Sequence, residues 1–286
     1  MIQLNMKLSC IALLSMLLMA SCAKKIKQQE DEIYSRHLQA HVKLTIISTP
    51  MPKDKSGLNL LLLNDGQDIS SMRVKEIIDS LYHKKAIEPF VVVGITPPQR
   101  MADYGVSGIA DYQGNGAKAD KYADFIINEL YPFAKKKAGV RKFNSVVIAG
   151  CSLGGLSAFD IAWDNADKID KVAVFSGSFW WRDKDANTAA YNDSTDRILL
   201  QKVKSSRKKP NLRYWLYAGA KEETADRDKD GIIDVIDDTK DLIQILENKK
   251  NIPASNITYT EDANGQHDYT SWSHHFADFL VWAFRK

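Results

Sequence analysis

Five short apolar runs dominate the sequence: LNLLLLN at residues 58–64, PFVVVGIT at 89–96, SVVIAG at 145–150, KVAVF at 171–175 and LRYWLYA at 212–218. Each is bounded by turn-forming residues, and each is too short for a typical helix. Unbroken apolar runs of this length suit strands covered on both faces, as in a parallel sheet. Residues 38–48 (LQAHVKLTIIS) alternate with period two and predict a half-exposed edge strand, and 256–261 (NITYTE) predict a weaker final strand. Between the strands, residues 71–84, 117–137, 153–166, 238–248 and 270–284 carry apolar residues at helical spacing; Tyr122, Phe125, Ile126, Leu130 and Phe133 form one such stripe. The alternation predicts one α/β domain: a single doubly wound, mostly parallel sheet with helices on both faces and right-handed crossovers. Residues 96–119 hold Gly and Pro between two such elements and predict a long functional loop.

The N-terminus reads as an address. Lys7 precedes an apolar run at residues 8–20, too short to span a bilayer and suited to a signal-peptide core. The run ends in Leu18-Met19-Ala20-Ser21-Cys22, which resembles the bacterial lipobox. Residues 1–21 are therefore expected to be a lipoprotein signal peptide and Cys22 the lipidated mature N-terminus. The protein is then membrane-anchored, facing the periplasm or the exterior. Residues 22–37 are expected to be a flexible polar tether and 38–286 the folded domain. Of three cysteines, Cys10 leaves with the leader, Cys22 takes lipid and Cys151 remains alone, so no disulfide forms within the mature chain. Lys and Arg number 39 against 36 Asp and Glu, a net +3 with the signs interleaved; this predicts no nucleic-acid partner. A mean hydropathy of −0.31 excludes a polytopic membrane protein.

The apolar run at 145–150 leads directly into Gly150-Cys151-Ser152-Leu153-Gly154-Gly155 and then a helical stretch. This is G-x-S-x-G in the strand–turn–helix setting its mechanics require: a sharp turn exposes the Ser, and the glycines let neighbouring backbone approach. Cys151 is expected to be a small packing residue. A Ser hydroxyl is a weak nucleophile at neutral pH and needs a base held by an acid. In the order Ser, then Asp or Glu, then His, only His267, His274 and His275 remain as bases. His267 lies in the loop Ala263-Asn-Gly-Gln-His267 between the last strand and the last helix, where a base can swing over the Ser; His274 is the rival. Glu222, just past the strand at 212–218, is the expected acid, with Glu223 second. The backbone N–H of Leu153 is expected to supply half of an oxyanion hole. The loop Asn64-Asp65-Gly66-Gln67 supplies the other half through the Gln67 amide.

These pieces together resemble the esterase family that includes esterase D, enterochelin esterase and feruloyl esterases. The matching stretches are Leu62-Leu-Asn-Asp-Gly-Gln67, Ala149-Gly-Cys-Ser-Leu-Gly-Gly155, Phe175-Ser-Gly-Ser-Phe-Trp-Trp181, Tyr217-Ala-Gly-Ala-Lys-Glu222 and Gly265-Gln-His-Asp268, in family order over almost the whole mature chain. The resemblance implies an α/β-hydrolase fold and a Ser152–His267–Glu222 triad, with Glu in place of the commoner Asp. It also implies that aromatics of the Phe175–Trp181 stretch lie on the substrate side, although Trp180 and Trp181 equally suit packing.

Asp226-Arg-Asp228-Lys-Asp230-Gly231-Ile232-Ile233-Asp234-Val-Ile-Asp237 matches the D-x-D-x-D-G calcium loop over twelve positions. Asp226, Asp228, Asp230, the Ile232 carbonyl, Asp234 and Asp237 are the expected ligands of a structural Ca²⁺. Asp stands where such loops usually carry Glu, at the twelfth place. The expectation is a lipid-anchored serine ester hydrolase with no cofactor for catalysis, acting on a small-molecule or glycan ester, carbohydrate or phenolic and siderophore-like. Acyl transfer or peptide hydrolysis on the same triad, or a non-catalytic ligand-binding lipoprotein, are the alternatives.

Overall fold

The computed structural model describes residues 25–286 apart from 53, 54 and 56; the leader and Cys22 lie outside the described residues. Eight strands form one sheet: β1 (Lys27–Ser35), β2 (Ala40–Ser48), β3 (Asn59–Asn64), β4 (Phe90–Thr96), β5 (Val146–Cys151), β6 (Lys171–Phe175), β7 (Arg213–Gly219) and β8 (Ile257–Asp262). Their spatial order is β1-β2-β4-β3-β5-β6-β7-β8. The first two pairings are antiparallel and the other five parallel. The fold is thus an α/β fold with a mixed, mostly parallel sheet, as the apolar runs predict.

Successive side chains of a strand point to opposite faces, and the helices divide accordingly. Leu61, Leu63, Val92, Val147 and Trp215 pack with α1 (Val74–His83) and the C-terminal helix α6 (Tyr269–Phe284). Leu60, Leu62, Val93, Ile148 and Leu216 pack on the other face with four helices: α2 over residues 119–138, α3 (Leu153–Asp164), α4 (Ile198–Ser205) and α5 (Asp234–Gln244). The middle of α2, Phe125–Leu130, is a π-helical turn. Burial on both faces is why the central strands read as unbroken apolar runs. Helix α4 escaped the sequence reading, and α5 begins four residues before the expected stretch.

The tether is the correction. Residues 27–35 pair with β2 along their whole length, from Lys27 opposite Ser48 to Ser35 opposite Ala40. Thr45 Oγ1 donates to Glu30 Oε2 (2.8 Å), Ile33 packs against the core, and Ile26, just before the strand, is buried. A polar edge strand is held by backbone pairing, which a hydropathy reading does not register. Arg197 and Arg227 share the fully buried Asp238 (Arg197 Nη1–Oδ1 2.6 Å), and Arg227 also meets Asp193 at 3.0 Å. This cluster ties the segment between β6 and α4 to α5.

If residues 27–35 are structural, deleting 25–36 uncovers the edge of β2 and part of the core. The urea midpoint of unfolding is then expected to fall clearly; loss of a mere tether leaves it unchanged.

Candidate active site

The C-terminal ends of β5, β6, β7 and β8 lie side by side, and the site is assembled on them. Ser152 follows β5 with φ 54° and ψ −125°, a positive-φ conformation that is costly for a residue with a Cβ. The turn is enforced by close packing: a Cβ on Gly150 would run into the Gly154 carbonyl. Ser152 N donates to Phe175 O (2.8 Å), Ser176 N to Tyr217 O (2.8 Å) and Ala220 N to Asp262 O (2.8 Å). Each loop is thereby stitched to the neighbouring strand. Cys151 is buried, and burial pushes its thiol well above its ordinary pKa, which fits packing rather than reactivity.

Glu222 is buried, at 1 % side-chain exposure, and is the partner of His267: Nδ1 lies 2.8 Å from Glu222 Oε2. The other carboxylate oxygen accepts from Gly219 N (2.5 Å) and Ser176 Oγ (2.6 Å), and Ser176 Oγ in turn accepts from Trp272 Nε1 (2.7 Å). The His267 loop reaches this position because Gly219 and Gly265 touch backbone to backbone; a Cβ on Gly219 would sit 2.5 Å from the Gly265 backbone. With Nδ1 engaged, Nε2 is left for other partners. Glu223 is not the partner of His267: its Oε1 accepts from Val235 N (2.8 Å), and burial raises its pKa. His274 is exposed on α6, and His275 contacts Asp262 at 3.0 Å.

Ser152, His267 and Glu222 line one cleft of about 320 Å³, together with Ser176, Ser178, Trp180, Glu223 and Val235. Ser152 Oγ lies 3.4 Å from Ser178 Oγ; no hydrogen bond joins Ser152 to His267 among the described residues. Leu153 opens α3 directly after Ser152. Gln67 sits in a single helical turn, Gly66–Asp68, after β3. Neither lines the cleft itself, but the Gln67 loop is fastened to the start of α3. Asn64 Nδ2 donates to Gly154 O (2.7 Å), Tyr122 Oη donates to Asn64 Oδ1 (2.7 Å), and Arg100 clamps Asp65 through two bonds of 2.8 and 2.9 Å.

The two tryptophans divide the expected roles. Trp181 is packed at 1 % exposure, whereas Trp180 lines the cleft. Arg182 stacks near Trp180, Tyr112 and Tyr191 at 5.6, 5.8 and 5.9 Å. Tyr104, in the long loop, is buried. Ser176, Ser178 and Trp272 were missed as site residues. Ser176 and Ser178 lie inside the matching Ser-Gly-Ser stretch, but Trp272 has no local signal.

In the acidic loop, Asp226, Asp228 and Asp230 each place a carboxylate oxygen within 4.8 Å of the others. Asp237 lies in the first turn of α5, and burial together with Asp230 and Asp228 pushes its pKa up to about 6. The Asp234 carboxylate is taken by Arg227, at 2.9 Å to Nη1 and 2.8 Å to the backbone N–H. Ile232 is half-buried between Gly231 and α5.

The sequence matches the family described as "Putative esterase" over residues 35–283. The chain belongs to that family. It is 22% identical over 259 residues to the uncharacterized protein YbbA of Bacillus subtilis, covering 88% of this chain and 96% of that one. Among solved structures, the enterochelin esterase of Shigella flexneri superposes with a TM-score of 0.71 at 23% identity. That match covers 91% of this chain but 59% of the other, so the present chain spans about three fifths of its length. A ferulic acid esterase superposes with a TM-score of 0.66 at 17% identity over 91% of this chain and 98% of that one. These likenesses show that the chain shares its α/β fold with those two esterases.

Ser176→Ala strands the Trp272 N–H in a buried setting and removes one donor from Glu222. Denaturation is expected to show a loss of about 1–3 kcal/mol in stability.

Proposed function

We propose that the protein is a serine carboxylic ester hydrolase. The observation that carries this is the 2.8 Å contact of His267 Nδ1 with the buried Glu222, made in the same cleft that exposes the strained Ser152. In this reading, His267 Nε2 takes the Ser152 proton as Oγ attacks the ester carbonyl. The backbone amides of Leu153 and Gln67 hold the oxyanion. Protonated His267 then releases the alcohol, and water, deprotonated by the same ring, hydrolyses the acyl-enzyme. Glu222 holds the ring in its tautomer and offsets the imidazolium charge, and its two donors, Gly219 N and Ser176 Oγ, hold its carboxylate in place. Catalytic hydrogen bonds are often long before substrate binds, and in this reading His267 closes on Ser152 as the ester enters.

The proposed substrates carry an aromatic or sugar moiety. Trp180 on the cleft wall and the Arg182 cluster beside it support this class. So do the names of the fold neighbours, enterochelin esterase and ferulic acid esterase. Ser152→Ala is expected to lower turnover of a p-nitrophenyl ester by several orders of magnitude without loss of the folded CD spectrum, and His267→Ala by a similar factor. A fluorophosphonate probe should label the parent chain at Ser152 and leave both variants unlabelled. Near-normal hydrolysis by Ser152→Ala overturns the proposal.

Two further readings from the sequence stand as proposals. Cys22 carries a lipid that anchors the chain; no helix among the described residues is long and apolar enough to cross a membrane. The Asp226–Asp230 cluster, with Asp237 and the Ile232 carbonyl, binds a structural Ca²⁺, with Asp234 entering once Arg227 yields. The Glu223–Val235 bond links the far end of that loop to the residue beside Glu222. Calcium is expected to raise the melting temperature, and Asp228→Ala with Asp230→Ala to abolish the rise; an unchanged melting temperature removes the metal.

A further inference from the structure

The net charge of +3 conceals a strong polarity along the strand direction. In a parallel sheet, every loop leading into a strand lies at one edge and every loop leaving a strand lies at the other. The entering loops are basic. That into β4 carries Lys84 and Lys85, that into β5 Arg141 and Lys142, and that into β7 reads SRKKPNL over 206–212. The chain also ends at this edge with Arg285-Lys286, since Arg285 bridges to Ile87 and Glu88 N donates to Phe284 O (2.8 Å). The carboxylates in the loops into β4 and β6 are Glu88, Asp167 and Asp170; Asp167 is taken up by Lys168 and Asp170 by Val146 N. The leaving loops, which hold the Ser152 cleft, carry Asp183, Asp185 and Asp193 among Arg182, Lys184 and Arg197, and the run from Glu222 to Asp234, whose six carboxylates outnumber Arg227 and Lys229.

Helix C-termini point to the basic edge and favour cations there. They do not account for Arg141, Lys142, Arg207 and Lys209, which lie in loops past the helix ends, are exposed, and have no carboxylate partner among the described residues. On the same edge a groove of about 460 Å³ brings Lys171 and Arg213 over the ring of Trp282, at 5.7 and 5.5 Å, with Arg285 and Asp278 beside them. Burial, and to a lesser degree the neighbouring Arg213, hold the Lys171 ammonium below its ordinary pKa. Cations around an amphipathic Trp make a surface suited to lipid headgroups.

The N-terminus leaves from this edge as well. Lys27 lies opposite Ser48, and Ser48 opposite Val91 near the start of β4. Ile26 is already buried, so only residues 23–25 separate Cys22 from the folded core, about 14 Å of extended chain.

We propose that the edge formed by the N-terminal ends of the parallel strands lies on an anionic lipid bilayer, so that the Ser152 cleft opens away from the membrane. The proposal goes beyond the esterase reading and does not depend on it; the charge distribution stands without the anchor, which adds that this edge starts at the membrane. Substrates then reach the cleft from the aqueous side, across the depth of the sheet.

Hydrogen–deuterium exchange on the full chain tests this, comparing vesicles of phosphatidylcholine with vesicles containing 30% phosphatidylglycerol. With the anionic lipid, exchange in 84–89, 139–145 and 206–212 is expected to slow at least threefold, while 182–196 and 223–233 stay unchanged. Arg141→Glu, Lys142→Glu and Lys209→Glu together should remove that protection and leave hydrolysis of a soluble ester unaltered. If this variant does not fold, the lipid comparison on the parent chain decides alone. Equal exchange in both vesicle types, or protection of 182–196 and 223–233 instead, overturns the proposal. So does protection of the basic loops by duplex DNA but not by the anionic vesicles. None of these outcomes bears on whether Ser152 is the nucleophile, which the fluorophosphonate label reads separately.

Discussion

The backbone at Ser152 is the constraint from which the site is built. A non-glycine residue at φ 54° persists only where its surroundings over-determine it, and here they do. Gly150 packs against the Gly154 carbonyl, Gly155 packs against Val174, and Ser152 N is bonded to the neighbouring strand. The turn therefore fixes where α3 begins, which way the Ser152 hydroxyl faces, and how near the Asn64–Gln67 loop can approach. Relaxing the turn would move all three together.

Against that fixed point, the other half of the site is held by polar contacts in a buried setting. The chain Trp272–Ser176–Glu222–His267 links the C-terminal helix to the loops after β6, β7 and β8, and a buried carboxylate with two donors and an imidazole is stable only while every member is paired. His267 is the exposed member, with 41 % of its side chain open to solvent. A buried carboxylate, an exposed imidazole and a strained serine would divide the labour of the proposed ester hydrolysis.

The sheet was legible because burial on both faces writes unbroken apolar runs into β3 to β7, and the sharp turn at Ser152 was legible because its steric needs force glycine at fixed spacings. Glu222 and His267 were reached by chain order and position after a strand, which is topology more than chemistry. Trp272 and Ser176 were out of reach, since their part depends on a contact between residues 96 apart in sequence. The strand at 27–35 was hidden by its composition: six of its nine residues are exposed, and pairing energy leaves no trace in hydropathy. The charge polarity was hidden for a related reason. Lys and Asp are interleaved along the chain but sorted by the direction of the strands, so a sum over the sequence cancels what the fold separates.

The buried pairing of Arg197 and Arg227 around Asp238 has a consequence for how the two ends of the molecule respond to their medium. Charges sealed from solvent are barely screened, whereas an exposed basic face loses its reach once the Debye length shrinks to a few ångströms. Brine should thus loosen the grip of the molecule on a charged support long before it unlatches the segment beside the cleft. On the proposed membrane surface, ionic strength would become a dial for location, with the architecture around the Ser152 cleft left in place.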